Sequence, residues 1–205
     1  MVHPTALLAL HFQNEVIHPN GAIRVGMAED SPDRGRLIAN AARLLGGMRA
    51  AGVPVVSVRI AFRPDHADVI QNCRIFRDVV RLGAMVEGSW GADFVTGLGP
   101  LPGEHVVKHS RTNAFIGAPL EEVLRCLDVR HLIVAGVSTN SVVEATVRHA
   151  SDVGYHVTVA ADACSAGDPA LHAASLRNME LVADISTTDD ILSRLPGATP
   201  PIRSE

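Results

Sequence analysis

Residues 131–164, HLIVAGVSTNSVVEATVRHASDVGYHVTVAADAC, contain a complete strand–helix–strand unit. The apolar run 131–137 is typical of a strand that is buried on both faces. Thr139 is placed to cap the helix that follows, and Gly154 is placed to end it. The buried helix face is predicted to comprise Val142, Val143, Thr146, Val147, Ala150 and Val153. A second strand follows at 156–161, so the two strands are predicted to be parallel.

The rest of the chain continues this alternation in both directions. Apolar runs predict further strands at 5–12, 53–60 and 105–109, with a weak one near 181–186. Helical spacing of apolar residues predicts helices over 33–51, 118–127 and 169–181. The sequence therefore predicts an α/β protein with three layers, α-β-α, around a mostly parallel sheet of about six strands. We expect one domain over 1–195 and a flexible tail over 196–205.

Residues 61–104 interrupt the alternation, because this segment is rich in glycine and proline. One short helix is predicted within it, around 67–81. An insertion of this length after a strand is typical of a lid or an oligomer contact rather than a plain connector.

Composition excludes several classes of protein. The chain has 205 residues, 47% of them hydrophobic, and a formal net charge of −4, which gives no electrostatic footprint for nucleic acid. Its apolar runs are too short to cross a membrane, and its N-terminus lacks a signal-peptide pattern. Three widely spaced cysteines without a CxxC pair fit a reducing cytoplasm and predict neither a disulfide framework nor a metal site.

Four segments in order resemble the isochorismatase-like, or cysteine hydrolase, superfamily. They are ALLALHFQN (6–14), VVKHSRTNAFIGAPLEEVLR (106–125), the unit 131–164, and the stretch from His172 to Asp190. The resemblance implies a hydrolase of the same three-layer fold that acts on a small molecule, needs no cofactor and forms a homo-oligomer. Nicotinamidases of the superfamily carry a metal-binding Asp-x-His cluster after the second strand, but Arg59, Ile60 and Ala61 stand there in this chain. No metal is therefore expected.

The same resemblance implies a catalytic site in which two of three side chains are replaced. Family members use an aspartate, a lysine and a nucleophilic cysteine, and the corresponding positions here are His11, Lys108 and Val142. A valine excludes thioester chemistry at that position. We expect His11 and Lys108 to share a pocket in acid–base and electrostatic roles, with the nearby ammonium keeping His11 neutral.

The resemblance also implies a backbone anion cradle and a set of residues that bind substrate. The cradle comprises a cis bond between Val137 and Ser138 together with the amide of Val142. Arg59, Arg111 and Lys108 are candidates to grip a carboxylate. The substrate-binding residues are predicted to be Trp90, Arg111, Phe115 and Ser141.

Three functions remain open on the sequence. The first is a cysteine-independent hydrolase of a small anionic metabolite, including enol ethers, whose hydrolysis needs an acid and water rather than a nucleophile. The second is a catalytically inactive protein that binds a small molecule or serves as a scaffold. The third is hydrolysis through Ser141 or Cys164 as an alternative nucleophile.

Overall fold

A computed structural model describes residues 4–195 of the chain, so the predicted tail 196–205 lies outside the described residues. All strand pairs of its single sheet are parallel, and the order across the sheet is β3-β2-β1-β4-β5-β6. The strands are β1 Thr5–Leu10, β2 Val55–Ile60, β3 His105–His109, β4 His131–Val137, β5 His156–Ser165 and β6 Asp184–Ser186. The predicted three-layer α/β class with six parallel strands is confirmed.

Seven α-helices cover the described part of the sheet. They are α1 Asn14–Ile17, α2 Arg34–Ala50, α3 Arg74–Leu82, α4 Leu120–Cys126, α5 Glu144–Asp152, α6 Pro169–Met179 and α7 Thr188–Ser193. The sequence did not predict α1 or α7, which are too short to show a helical period. No helix within residues 4–195 is long and apolar enough to span a bilayer.

The sheet separates two apolar layers. On one face, Leu37, Leu44 and Met48 of α2 are buried in the same cluster as Leu7 and Ile133 of the central strands. The second layer contains buried residues of α4, α5 and α6 together with strand residues of the opposite face, including Leu124, Val147, Met179, Leu8 and Val134. Both faces of the central strands are covered, which explains their continuous apolar sequences.

The helix after β4 begins differently from the prediction. A π-helical turn, Thr139–Val143, precedes α5, and Ser138 occupies the N-cap position without a capping hydrogen bond from its side chain. The predicted cap by Thr139 is wrong, because the Thr139 hydroxyl is buried and instead lies 2.8 Å from Nδ1 of His172 on α6. π-Turns of this kind occur often at functional sites.

The segment 61–104 is packed firmly against the domain. Its apolar side chains Phe62, Phe76 and Leu98 are almost fully buried in the layer that α2 covers. Gln13, fully buried after β1, donates from Nε2 to the carbonyls of Ile60 and Ala92, at 2.9 Å and 2.7 Å. The inner side of the segment therefore belongs to the core of the domain. Only its outer surface is available for the proposed role as a lid or an oligomer contact.

Candidate active site

A pocket lies at the carboxyl edge of the sheet, where the strand order reverses between β1 and β4. Ligands of open α/β sheets bind at such switch points, since the chains leave adjacent strands in opposite directions. The pocket has a small cavity volume of about 40 Å³, within about 460 Å³ of empty space that includes open solvent. Its walls are mainly apolar, and its polar lining residues are His11, Arg111, Thr112, Ser138 and Ser141.

His11 follows β1 directly and is 7% exposed, with its backbone in the left-handed region at φ 52°. Its Nε2 lies 2.5 Å from Nε2 of His109, the last residue of β3. The two imidazole rings are tilted, with centroids 4.8 Å apart. Two histidines that are distant in the sequence therefore form one buried pair at the edge of the sheet.

Both histidines of the pair are held in the neutral form. Burial lowers the pKa of His109 to about 4, against which a hydrogen bond to the backbone carbonyl of Asn113 acts in the opposite sense. The pKa of His11 also lies well below its ordinary value, first because of burial and second because a charge on His109 would repel its own. At neutral pH the pair is thus available to accept a proton.

Lys108 does not share this pocket. Adjacent residues of a strand point to opposite faces of the sheet, and since His109 faces His11, Lys108 faces away. Its Nζ binds Oε2 of Glu87 at 2.8 Å, and its side chain is 46% exposed. The structure thus places His109 where we expected Lys108, and the expected contact between His11 and Lys108 is absent.

Arg59 also lies outside the pocket. It neighbours Lys108 in the register of β2 and β3, and its guanidinium binds Oε1 of the same Glu87 at 3.0 Å. Two of the three cations expected to grip a substrate carboxylate, Arg59 and Lys108, therefore bind a carboxylate of the protein itself.

The start of the helix after β4 has the predicted backbone form. The bond between Val137 and Ser138 is cis, and both Ser138 and the buried Val142 line the pocket. The Ser138 hydroxyl, in a residue that is 2% exposed, has no hydrogen-bond partner within residues 4–195. A buried hydroxyl without a partner is costly, so a ligand that bonds to it would recover that free energy. Ser141 also lines the pocket, as predicted.

Arg111 provides the cation of the pocket lining. Its guanidinium lies 4.2 Å above the centre of the Phe76 ring, and one of its nitrogens donates to Oδ1 of Asn72 at 3.0 Å. Another donates to the carbonyl of Ile70 at 3.3 Å. These contacts fix the guanidinium plane, and no acidic side chain is present among the lining residues to neutralise it.

The two aromatic residues expected in the pocket lie elsewhere. Phe115 is buried against α5, with its ring stacked on His149 at 4.7 Å between centroids. Trp90 is about half exposed on the segment 61–104, with its edge against the ring of His18. Apolar side chains of α3 and of the loop after α1 form the pocket wall instead, among them Ile75, Val79 and Ile23.

The cysteines offer no activated thiol near the pocket. Burial raises the pKa of Cys164 to about 12, so its thiol stays protonated, and Cys164 is not among the pocket-lining residues. Within residues 4–195, no group of three or more His, Cys, Asp or Glu side chains is arranged to hold a metal ion.

Sequence reasoning missed two functional groups of this pocket. His109 stands beside the residue we chose, and the alternation of β3 alone does not tell which of two adjacent polar residues faces inward. The side chain of Ser138 was overlooked because only its backbone was considered. The position of Ser138, directly after Val137 at the end of an apolar strand, was the sequence signal that its side chain is buried.

Comparison with known proteins agrees with the fold. A model of the Isochorismatase domain matches residues 5–190. The chain is 30% identical to the ureidoacrylate amidohydrolase RutB of Methylorubrum extorquens over 92% of this chain and 83% of that protein. The crystal structure of an isochorismatase family protein from Desulfovibrio vulgaris superposes with a TM-score of 0.82 at 29% identity, covering 94% of this chain and 100% of that chain. One from Burkholderia thailandensis gives 0.78 at 28% identity over 94% and 95%.

Proposed function

Because the chain belongs to the isochorismatase family, we propose that it is a hydrolase that cleaves an amide or ureide bond in a small anionic substrate with water as the nucleophile. The observation that carries this proposal is the buried, neutral pair that His11, a lining residue of the switch-point pocket, forms with His109. His11 takes the role of general base, and His109 replaces Lys108 as its partner. Val142 excludes the thiol route.

The proposed step uses one water molecule. Its oxygen bonds to the substrate carbonyl carbon while its proton passes to the His11 imidazole. The C–N bond then breaks, and the leaving nitrogen takes the proton back from His11, which returns to the neutral form. General base catalysis of this kind typically accelerates a reaction by about 10²–10⁴-fold.

Two further groups would serve this step. The turn from Ser138 to Val142 supplies the proposed cradle for the oxyanion, and the unpartnered Ser138 hydroxyl adds a donor beside it. Arg111 is proposed to bind the substrate's carboxylate, because a guanidinium fork matches that geometry and no acidic residue of the lining competes for it. Ser141 is proposed to contact the substrate, because it lines the pocket. Trp90 and Phe115 do not line it and are not proposed to bind substrate.

The neutral state of His11 favours this reaction over hydrolysis of an enol ether. Protonating an enol ether requires an acid, but burial leaves only a small fraction of His11 protonated near pH 7. The same neutral imidazole can accept a proton from water.

We predict that ureidoacrylate, small N-acyl amino acids and isochorismate, tested in parallel, will show turnover on the amide or ureide members. Ureidoacrylate is included because curated relatives at 30% identity are named for it. His11→Ala is expected to lower kcat/KM by about 10²–10⁴-fold. His105→Ala, an exposed histidine at the start of β3, is the matched control and is expected to leave kcat/KM unchanged. Turnover that is equal in the His11→Ala variant would refute the proposal.

A binding protein without catalysis is the second candidate function. It is favoured by Val142, an apolar and 2% exposed residue at the position of the family's nucleophile. Under this hypothesis carboxylate ligands raise the melting temperature, no substrate turns over, and Arg111→Leu removes the shift in melting temperature.

Intact mass spectrometry during turnover tests the third candidate function, hydrolysis through Ser141. Attack by Ser141 would leave a covalent adduct that the water mechanism does not form.

The homo-oligomer and the role of the segment 61–104 are also proposals. Ile70, Trp90 and Leu101 of this segment are large apolar residues that are between 49% and 64% exposed. Exposed apolar side chains of this kind mark association surfaces when they are contiguous. We propose a subunit contact there in a cytoplasmic enzyme, which light scattering on the purified chain and on a Trp90→Asp variant would test.

A further inference from the structure

We propose that His109 is a positioning residue that fixes the tautomer of His11, so that Nδ1 of His11 is the basic nitrogen in the pocket. The proposal deepens the proposed hydrolase function, since it names the atom that accepts the proton. It rests on the hydrogen-bond chain that the imidazole pair makes, which can be measured without any substrate.

The chain starts at the backbone carbonyl of Asn113. Nδ1 of His109 lies 3.3 Å from this oxygen, and a carbonyl can only accept a hydrogen bond. Nδ1 of His109 must therefore carry a hydrogen. In a neutral imidazole the other nitrogen then has none, so Nε2 of His109 presents a lone pair to His11.

The contact between the two rings determines which nitrogen of His11 carries its hydrogen. At 2.5 Å, two facing lone pairs would repel and two hydrogens would collide, so one hydrogen lies between the Nε2 atoms. Because Nε2 of His109 is the acceptor, that hydrogen belongs to His11. Nδ1 of His11 is then unprotonated, and it accepts no hydrogen bond from any residue within 4–195.

This arrangement provides a relay for the proton of the attacking water. As Nδ1 of His11 takes that proton, the hydrogen on Nε2 of His11 can pass to Nε2 of His109. The positive charge then resides on His109, whose Nδ1–H donates to the Asn113 carbonyl. Protonation of the leaving nitrogen reverses both transfers, so protons balance over one cycle.

The charges around the pair give His109 a second effect. Arg111 is the charged residue among the pocket-lining residues, and Thr112, Ser138 and Ser141 are neutral. No carboxylate of the lining stabilises an imidazolium, as an aspartate would. Moving the charge onto His109 places it against the carbonyl dipole of Asn113.

We test the tautomer first, by ¹⁵N NMR of histidine-labelled protein at pH 7. Chemical shifts distinguish protonated from unprotonated imidazole nitrogens, and His11 is expected to be protonated at Nε2 alone and His109 at Nδ1 alone. Exposed His105 is expected to show the mixed tautomers of a free imidazole. The opposite tautomer of His11, or the same mixture as His105, overturns the proposal.

Two variants then separate positioning from mere packing. His109→Gln keeps a side-chain oxygen that can accept from Nε2 of His11, whereas His109→Leu fills the space without an acceptor. We expect His109→Leu to lower kcat by at least about tenfold with KM little changed, and His109→Gln to recover much of that loss. We also expect the acid limb of kcat to shift in His109→Leu, since the acceptor of the hydrogen bond from Nε2–H of His11 is lost. Equal losses in both variants, or an unmoved acid limb, would mean that His109 has only a structural role.

The two kinds of failure are distinguishable. If no substrate turns over, the proposed function fails while the ¹⁵N spectrum still decides the tautomer. If turnover depends on His11 but the spectrum shows a proton on Nδ1, the hydrolase function stands and the role assigned to His109 is wrong.

Discussion

His11 occupies a backbone conformation that costs free energy for any residue with a side chain. Its φ is 52°, in the left-handed region where Cβ approaches the backbone oxygen. Histidine tolerates this region better than most residues but gains nothing from it in the free chain. Residues held in this way cluster at active sites, because the surrounding structure must supply a compensating interaction. Here that interaction is the hydrogen bond to His109.

This cost can be measured by comparing two deletions of the same side chain. His11→Ala and His11→Gly both remove the imidazole and leave His109 without its partner. The difference between their free energies of unfolding therefore reports the cost of the backbone conformation at position 11. We expect His11→Gly to be more stable than His11→Ala by about 1 kcal/mol in urea denaturation, since only glycine adopts φ 52° freely. Both variants should lose activity to the same extent. An alanine variant as stable as the glycine variant would show that the strain is relieved by local rearrangement.

At the scale of elements, the pocket depends on the close approach of β1 and β4. Gly136, with φ 152°, directly precedes the Val137–Ser138 bond of the proposed cradle, and a Cβ at this position would lie 2.2 Å from the carbonyl oxygen of Leu10. Leu10 is the last residue of β1, directly before His11. Gly136 therefore permits the close approach of the strands that precede His11, the proposed general base, and the proposed oxyanion site.

Gly136→Ala is therefore expected to destabilise the fold by more than about 2 kcal/mol, because the contact is with backbone that cannot turn aside. The melting temperature should fall by at least about 4 °C in a chain of this size. Gly46→Ala is the matched control, since this exposed glycine lies within α2 and an added Cβ meets nothing within 4 Å. We expect that variant to gain about 0.5–1 kcal/mol from helix propensity. A gain in both variants would show that β1 and β4 tolerate a wider spacing.

Short strands limit what the sequence could tell about the site. The buried strands were predicted within a few residues, because β1 and β4 carry unbroken apolar runs. In β3, by contrast, HVVKH has polar residues at both ends and alternates in burial only over its last four residues. An error of one residue reverses the face of a side chain, so Lys108 and His109 exchanged roles. The partner of His11 lies 98 positions away, and no local pattern reveals such a contact.

At the scale of the whole molecule, sequence order was sufficient for the three-layer class and the parallel sheet, but not for the strand order or the pocket wall. Alternating strands and helices with right-handed connections leave few arrangements, and the structure selects the one whose switch point lies between β1 and β4. No comparable rule predicts the path of the segment 61–104. Its path depends on hydrogen bonds such as those that Gln13 donates to the carbonyls of Ile60 and Ala92. Arg111 was predicted for the pocket, whereas α3, which carries Phe76 beneath it, was predicted to begin seven residues too early.

The buried pair also makes the stability of the whole fold depend on pH in a defined window. In the unfolded chain both histidines bind a proton below pH 6.5, their ordinary pKa, whereas in the fold burial holds His11 well below that value and His109 at about 4. Stability is therefore complete above pH 6.5 and is lost as the pH falls toward the folded pKa values. Between pH 6.5 and 5.0 keeping His109 neutral costs about 1.5 kcal/mol, and keeping His11 neutral adds a loss of the same sign. Acidic residues with lowered pKa values, such as Glu87, change the free energy of unfolding at lower pH, below this interval.

We expect the free energy of unfolding of the native chain to fall by at least about 1.5 kcal/mol between pH 6.5 and 5.0 because of this pair. Paired substitution of His11→Gln and His109→Gln removes both titrating groups while keeping amides that can bond to each other. The double variant should lose much less stability over the same interval, and urea denaturation at four pH values measures both slopes. His172, whose pKa burial also lowers, contributes equally to both proteins and cancels in the comparison. Parallel slopes in the two proteins would mean that the imidazoles are charged within the fold, which would also remove the general base from the proposed mechanism.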